Sequence, residues 1–442
     1  SFFCGTVMIE HLSSFSPTVD SAQLVANMTV SAHSFHTNDI ISKETRTRCK
    51  RPDQKVKPYL KADLPKRLHF ANSRRIEDVN VLVEPKWLFE RYPPLPDRWS
   101  LTFCSGGTHG YDNDVETMHA MFVSYGPKFQ YKTEIEPFSN IELYNLMCDV
   151  MQISPGENNG THGSMNHVLR QPFYAPAPPP EQSGPLRCPL TGLDPMDPLG
   201  CSCPGGNDIN SRLNLTAAAE KKHVMFGRPR MLQPDHSYCV LHQDGFIMAF
   251  SHDALMPVWS SFTIDRPMNL DPLPPAMSDC LRADVRLRPS QSPRCDQYAA
   301  AGNLTYAFLY PPSSKQLVKT TVLLKKYASV YNGVNVVTGP VSYDVIISAL
   351  QINTDSALPV SECTGELQTV SFLWPHRPDN SESCKSAQAE SDWVEDLTWF
   401  HRSRVRDVEW ITGLDFYQGS NRPIPELLRM KTRPTAAIHR QQ

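Results

Sequence analysis

Apolar residues along this 442-residue chain follow two periods, one typical of strands and one typical of helices. Runs rich in β-branched and aromatic residues, closed by turn residues, predict strands at 79–85, 238–242 and 245–250. Two further runs, 306–312 and 333–340, read in the same way, because each ends at a proline. The predicted strands therefore lie in both halves of the chain.

Three stretches have helical spacing. Residues 115–125 predict a helix whose apolar stripe packs in the core, since Met and aromatic stripes of this kind are far more often core than cofactor contacts. That stripe consists of Met118, Met121, Phe122 and Tyr125. Ser139 and Glu142 are spaced as a capping box and predict a helix that ends near Pro155. The longest pattern predicts one helix that begins at Ser391 and ends at Gly413.

The predicted elements divide the chain into regions. Residues 1–48 have no clear period, whereas residues 60–155 alternate strand and helix, which suits an α/β layer domain. Residues 158–210 are rich in proline and cysteine with little regular structure, as in a linker pinned by disulfides. From about residue 211 the mixture is α+β, and the chain has no internal repeat.

Charge and composition narrow the class of protein. The chain has 43 Lys and Arg against 46 Asp and Glu, so its net charge of -3 gives no overall attraction to nucleic acid or anionic membrane. Its 39 prolines predict many loops, while 40% hydrophobic residues suffice for packed cores. No apolar run reaches the ~18 residues that a membrane span needs.

Cysteines and glycosylation sequons predict an oxidising, extracellular environment. The chain has 12 cysteines and lacks paired CxxC spacing of the zinc-site type. The N-x-S/T sequons agree with secretion; they begin at Asn27, Asn159, Asn214 and Asn303. Because the first residues lack the features of a signal peptide, we expect the chain to be a piece of an extracellular or cell-surface protein.

The clearest candidate for chemistry is Cys104-Ser-Gly-Gly-Thr-His109-Gly-Tyr-Asp-Asn-Asp114. Glycines let its backbone turn tightly, and its imidazole and carboxylates are groups that bind metals or transfer protons. Taken alone, the loop is more simply interpreted as a surface turn with an incidental histidine. The rest of the chain decides between the two interpretations.

Nine stretches together resemble the ecto-nucleotide pyrophosphatase/phosphodiesterase family, in the family's order. They include Leu64-Pro-Lys-Arg-Leu-His-Phe-Ala-Asn, Gly107-Thr-His-Gly-Tyr-Asp-Asn and Asn158-Asn-Gly-Thr-His-Gly-Ser. The others lie at 138–149, 226–230, 279–286, 332–340, 375–380 and 412–417. The resemblance covers nearly everything after residue 49, and looks closer to the members that hydrolyse extracellular nucleotides than to autotaxin.

The resemblance implies a fold of α/β plus α+β class. Residues 1–157 would be the C-terminal part of an alkaline-phosphatase-like phosphodiesterase domain, and residues 158–210 a lasso-like linker. Residues 211–442 would be a DNA/RNA non-specific endonuclease-like domain of the ββα-metal type. In such enzymes two zinc ions activate a threonine nucleophile, and the substrate is a nucleotide. The family's Gly-x-His-Gly histidine is a zinc ligand and corresponds to His109.

Several departures from the family pattern bear on activity. The nucleophile and the other zinc ligands lie upstream of the matched part in the family, and residues 1–48 contain no counterpart. One histidine cannot hold two zinc ions, so we expect no catalytic residue in this chain and no phosphodiesterase activity from the chain alone.

The nuclease-like region also departs from its family. Phe308 occupies the position of the catalytic histidine, and a phenylalanine cannot act as a general base. The segment with the nuclease metal-binding asparagine is missing, and Val341-Ser-Tyr-Asp-Val replaces the calcium loop. We therefore expect neither nuclease activity nor bound calcium, and nucleic acid is not an expected partner.

The resemblance also implies disulfides, each contributing roughly 2–4 kcal/mol. The implied pairs are Cys49 with Cys384, Cys201 with Cys295, Cys203 with Cys280, and Cys188 with Cys239. It assigns no partner to Cys4, Cys104, Cys148 or Cys363.

Three hypotheses follow for function. The chain is the C-terminal part of an ecto-nucleotide pyrophosphatase, or a non-catalytic scaffold or binding module built from the same domains, or a secreted nuclease. Phe308 and the balanced charge argue against the nuclease. His69, His162, His167, His376 and His401 have no ligand spacing, and we interpret them as structural or exposed.

Overall fold

The computed structural model of the chain describes residues 5–7, 55–89, 109–188, 216–243, 245–265, 284, 286–291, 324, 326–330, 333–341, 344–352, 368–375 and 382–438. The chain forms two compact units. The first comprises residues 1–125, 377–401 and 435–442, and the second comprises residues 126–376 and 402–434. The predicted domain boundaries at residues 157 and 210 stay predictions.

The described residues contain these strands: β1 Gly5–Val7, β2 Val56–Leu60, β3 Val79–Val83, β4 Trp87–Phe89, β5 Arg230–Met231, β6 Tyr238–His242, β7 Ile247–Ser251, β8 Met256–Asp265, β9 Gly333–Val341, β10 Asp344–Ile352, β11 Gln368–Pro375, β12 Arg402–Ser403 and β13 Leu414–Asp415. They contain these α-helices: α1 Leu143–Met151, α2 Thr216–His223, α3 Val394–Phe400, α4 Val405–Thr412 and α5 Ile424–Lys431. The fold is thus mixed α/β, and no described helix has the length and apolar character that a membrane crossing requires.

The first unit contains two small sheets. β2 and β3 pair antiparallel, with Val56 opposite Val83, and β1 pairs parallel with β4. Two side chains of β2, Val56 and Tyr59, are almost fully buried. The Tyr59 hydroxyl donates to Glu382 Oε1 at 3.1 Å, which ties β2 to the segment that leads into α3.

The second unit is built on a seven-stranded antiparallel sheet with the order β12-β11-β10-β9-β8-β7-β6. The buried cluster against it contains Trp259 of β8, Ala249 of β7 and Val408 of α4. β8 and β9 pair centrally, with Phe262 opposite Val336, and both side chains are fully buried. Burial of these apolar strands supplies the main stabilisation of the unit.

A buried charge cluster lies beside this core. Lys431 Nζ contacts Glu409 Oε1 at 2.6 Å and Asp415 Oδ1 at 2.8 Å, and all three side chains are 1–2% exposed. Arg406 Nη1 contacts the other Glu409 oxygen at 2.9 Å. The cluster holds as many cations as carboxylates, so its charges are compensated within the protein.

Four of the predicted strands are confirmed within the described residues. β3, β6, β7 and β9 lie where the patterns at 79–85, 238–242, 245–250 and 333–340 predict them. In the predicted turn between β6 and β7, the Gln243 N–H donates to the Phe246 carbonyl at 2.9 Å. The run at 306–312 lies outside the described residues.

The helix predicted over 115–125 is wrong. Only a 3-10 turn forms, Glu116–Met118, and the chain continues extended from His119. Met121 and Tyr125 are 90% and 99% exposed, so the apolar stripe is not buried. A helix gains most of its stability by burying one face, and no core lies against this face in the described structure.

The single helix predicted from Ser391 to Gly413 is also wrong, since the chain forms α3 and α4 with β12 between them. β12 joins the edge of the large sheet, where Ser403 pairs with Ser371 of β11. The Ser371 hydroxyl also donates to the Ser403 carbonyl at 2.8 Å. These sheet contacts outweigh the helical spacing of the apolar residues between 391 and 413. The predicted end is correct, because Gly413 terminates α4 with a φ of 67°.

The predicted capping box at Ser139 and Glu142 does not form, although α1 follows directly. Glu142 is 1% exposed, and its carboxylate accepts from the Thr161 N–H at 2.7 Å and the Ser164 hydroxyl at 2.8 Å. The carboxylate therefore joins α1 to a later loop. Burial raises its pKa, against the opposing effect of these hydrogen bonds and the nearby Arg404 and Arg406.

Candidate functional site

His109 is the first described residue of its segment and lies exposed, in the first unit. Gly110 follows with a φ of 94°, a conformation that favours glycine, and no atom of the described residues lies within 4 Å of the place where a Cβ would be. The backbone thus turns sharply beside the imidazole and leaves it open to solvent.

Arg67 anchors the segment that follows His109. Its guanidinium, 2% exposed, makes a bidentate pair with Asp112, with both nitrogen–oxygen distances 2.6 Å. Arg67 Nη1 also contacts Asp114 Oδ2 at 2.9 Å, and Nε donates to the Phe400 carbonyl at 2.9 Å. A planar guanidinium suits such multiple contacts better than an ammonium group.

Further contacts fix the same segment. The Asp114 N–H donates to Asp112 Oδ1 at 3.0 Å, which makes a tight turn at the ion pair. The Tyr111 hydroxyl donates to the Trp87 carbonyl at 2.7 Å, and the Thr435 hydroxyl donates to Asp114 Oδ1 at 2.6 Å. The segment is therefore held by β4, by the turn at Arg67 and by a late part of the chain.

The electrostatics of this anchor favour the ionised pair. Burial by itself would lower the pKa of Arg67, but the hydrogen bonds and negative charges of Asp112 and Asp114 raise it above its usual value. Both aspartates are thus committed to Arg67 and to neighbouring hydrogen bonds.

The described residues do not fit a zinc pair at His109. Within the described ranges, one set of three metal-ligating side chains has its ligand atoms close together: Cys188, Cys239 and His252. His109 is not part of that set. The assignment of His109 as a zinc ligand stays a prediction, and so does the expectation of two zinc ions.

One of the implied disulfides is present among the described residues. Cys188 and Cys239 are bonded, with Cα atoms 5.9 Å apart. Cys384 is also disulfide-bonded, and Cys148 is a buried free thiol. The other implied pairs involve Cys49, Cys201, Cys203, Cys280 and Cys295, which lie outside the described residues, as do Cys4, Cys104 and Cys363.

Of the four sequon asparagines, only Asn159 is described, and its side chain is exposed. The position is thus accessible to a glycan. Asn27, Asn214 and Asn303 lie outside the described residues. So does Phe308, and the segment implied to replace the calcium loop is described only at its ends, where Val341 pairs with Asp344.

The remaining histidines have protein partners where they are described. His162 Nε2 lies 2.7 Å from Asp149 Oδ1 and its ring stacks on Tyr174, with ring centroids 3.7 Å apart. His401 Nε2 lies 3.0 Å from Glu382 Oε1 in a fully buried pair. These contacts give both histidines structural roles, as the sequence interpretation has it.

Arg67 is the residue of the candidate site that the sequence patterns did not indicate. It falls inside a motif that carries the family resemblance, yet 45 residues separate it from Asp112. No local spacing indicates the pair, since long-range ion pairs leave no periodic signal.

The chain is similar to known phosphodiesterases along most of its length. The family model described as type I phosphodiesterase / nucleotide pyrophosphatase matches residues 19–112. The match begins upstream of the first quoted motif, at Leu64, and ends inside the anchored segment. Venom phosphodiesterase 2 of Crotalus adamanteus is 41% identical over 458 residues, covering 90% of this chain and 55% of that protein.

Other relatives give the same result. Ectonucleotide pyrophosphatase/phosphodiesterase family member 3 of Bos taurus is 42% identical over 444 residues, with 87% of this chain and 50% of that protein covered. A venom phosphodiesterase of Naja atra is 40% identical, with 90% and 54% covered. The chain thus spans about half the length of the curated relatives it matches, and it belongs to the ecto-nucleotide pyrophosphatase/phosphodiesterase family.

Proposed function

We propose that this chain forms part of the catalytic domain of an extracellular nucleotide pyrophosphatase/phosphodiesterase, in which His109 is one ligand of a zinc site. The observation that carries the proposal is the anchor at Arg67. Ion pairs with Arg67 fix Asp112 and Asp114, and Arg67 is itself held by the Phe400 carbonyl, while the His109 imidazole stays exposed. A metal ligand needs this combination of a held backbone and an accessible ring.

The chain's own contribution is to position His109. The described residues bring no second and third metal-ligating side chain to it, so no step of hydrolysis is assigned to them. The sequence of residues 1–48 has no counterpart of the family's nucleophile. We therefore propose that the chain by itself does not hydrolyse phosphodiesters, and that the substrate of the complete active site is a nucleotide.

An extracellular location is part of the same proposal. It is supported by the Cys188–Cys239 disulfide, by the disulfide at Cys384 and by the exposed sequon at Asn159. The names of the relatives, an ectonucleotide pyrophosphatase and venom phosphodiesterases, agree with it. We also propose that residues 211–442 adopt the nuclease-like fold of the resemblance in a non-catalytic, scaffolding role.

Hydrolysis of a nitrophenyl nucleotide ester by the purified chain tests the proposal. We expect no zinc-dependent release of nitrophenol above the rate in buffer, while the bovine family member 3, assayed in parallel, serves as positive control. Zinc-dependent turnover that a chelator abolishes and fresh zinc restores would show that the chain holds a complete site, and the proposal would then be wrong.

A further inference from the structure

A second group of metal-binding side chains lies in the second unit and does not include His109. His252 Nε2 is 3.6 Å from Cys188 Sγ, and Cys188 is bonded to Cys239. The sulfur atoms and a ring nitrogen of His252 all lie within 4.8 Å of one another. Cys239 is fully buried, whereas Cys188 and His252 are partly buried.

Backbone hydrogen bonds at or next to each residue hold all three in place. Cys239 is on β6, opposite Phe250 of β7. His252 directly follows β7, and its N–H donates to the Ser237 carbonyl at 2.8 Å. Cys188 is held by Leu186, whose N–H donates to the Tyr238 carbonyl at 2.7 Å.

The surroundings also suit a metal. Cys239 is buried in an apolar cluster with Leu241, Phe250 and Leu287. His252 Nδ1 is buried and has no hydrogen-bond partner in the described structure. The other ring nitrogen, Nε2, contacts Cys188 Sγ. An apolar surrounding excludes water and strengthens the bonds between a cation and thiolates.

The Cys188 sulfur and the His252 nitrogen have the separation expected in tetrahedral zinc coordination, while the two sulfurs, which are bonded to each other, have to separate on reduction. Zinc–sulfur bonds of about 2.3 Å and zinc–nitrogen bonds of about 2.0 Å place the sulfur and nitrogen of a tetrahedral site roughly 3.5 Å apart. The Cys188 Sγ to His252 Nε2 distance is 3.6 Å. Two thiolates and one imidazole would leave the fourth position for water, as in open zinc sites.

We propose that reduction of the Cys188–Cys239 disulfide converts this group into a zinc site with two thiolate ligands and the His252 imidazole. The disulfide accepts two electrons from an external dithiol, which closes into its own disulfide, and the two protons of the dithiol pass to the Cys188 and Cys239 sulfurs. The dithiol attacks at Cys188, the less buried of the two cysteines. Zinc then displaces both thiol protons to solvent and binds the thiolates.

Metal binding after reduction tests the site. The full chain is reduced with a water-soluble phosphine, which takes oxygen from water and becomes a phosphine oxide, and is then titrated with Co²⁺ followed by Zn²⁺. We expect the wild type to bind one more equivalent of tetrahedral, thiolate-bound Co²⁺ than His252→Phe, and Zn²⁺ to displace it. Other reduced cysteines contribute equally to both proteins.

A matched control is His236→Phe, which replaces a half-buried histidine of the same unit and should leave the additional equivalent intact. A conservative variant, His252→Gln, removes the ligand with less change in shape. A second readout is alkylation of Cys188 and Cys239 mapped by mass spectrometry, which Zn²⁺ should slow at least tenfold in the wild type and not in either His252 variant.

Equal metal binding by wild type and both His252 variants would overturn the proposal. So would a disulfide that resists the phosphine, or loss of the sheet's circular dichroism on reduction before metal is added. None of these results depends on hydrolysis, so they leave the proposed function unaffected.

Discussion

Replacing Arg67 by methionine should loosen the segment that carries His109. The change removes the bidentate pair with Asp112, the contact with Asp114 and the hydrogen bond to Phe400. It leaves two carboxylates whose side chains are only 22% and 12% exposed without their cation. Removing one partner of a buried ion pair destabilises a protein by about 3–5 kcal/mol, and because Asp112 keeps some contact with water we expect about 3 kcal/mol.

Hydrogen exchange is the appropriate assay, because a chain of two units need not unfold in one step. The amides of Asp114, Val115 and Met118 are hydrogen-bonded in the native segment. A loss of about 3 kcal/mol corresponds to roughly 100-fold faster exchange, since each 1.4 kcal/mol is a factor of ten. Peptides that cover residues 109–118, followed by mass spectrometry, report this change directly.

Two controls separate the anchor from a general effect. Arg74→Met changes an exposed arginine a few residues away and should leave the exchange of residues 109–118 within a factor of two. Adding Asp112→Asn to Arg67→Met removes one of the unpaired carboxylates and should recover part of the lost protection. Unchanged exchange in Arg67→Met, or an equal effect of Arg74→Met, would refute the anchoring role.

Two further predictions concern the second unit. Lys431→Met leaves two buried carboxylates without their shared cation and should lower the free energy of unfolding in urea by about 3–5 kcal/mol. The control is Lys221→Met, at an exposed position of α2. A similar loss of stability in both variants would contradict the reasoning. Burial, helped by the nearby charge of Arg429, lowers the pKa of His167, so the folded state favours the neutral ring. The unfolded state then binds more protons just below pH ~6.5, so the free energy of unfolding should fall as pH decreases through that range. His167→Gln should flatten this part of the curve, and an unchanged slope would show that His167 does not cause it.

Local pattern was sufficient for strands and insufficient for two of the helices. β3, β6, β7 and β9 follow from runs of β-branched and other apolar residues closed by turn residues. The helical pattern at 391–413 breaks at Ser403, where the edge of a sheet supplies a partner. That partner is Ser371, 32 residues earlier, and no local rule includes it.

The candidate site shows the same limit. The glycine-flanked His109 marks a loop that local chemistry identifies, and the family resemblance gives it a role. The residue that holds the loop, Arg67, pairs across 45 positions and resembles any surface arginine in the sequence. Glu142 is a local pattern that predicts the wrong contact. Its spacing from Ser139 predicts a capping box, but the buried carboxylate accepts hydrogen bonds from Thr161 and Ser164 instead.

The most direct test of the central claim is the activity of a chimera. The part of Crotalus adamanteus venom phosphodiesterase 2 that this chain does not cover would be fused to the chain, and hydrolysis of a nitrophenyl nucleotide ester measured with zinc present. The account predicts zinc-dependent activity with His109, and a loss of at least 100-fold in kcat/KM with His109→Ala while the fold and secretion stay unchanged. An active chimera whose rate does not depend on His109 would contradict it.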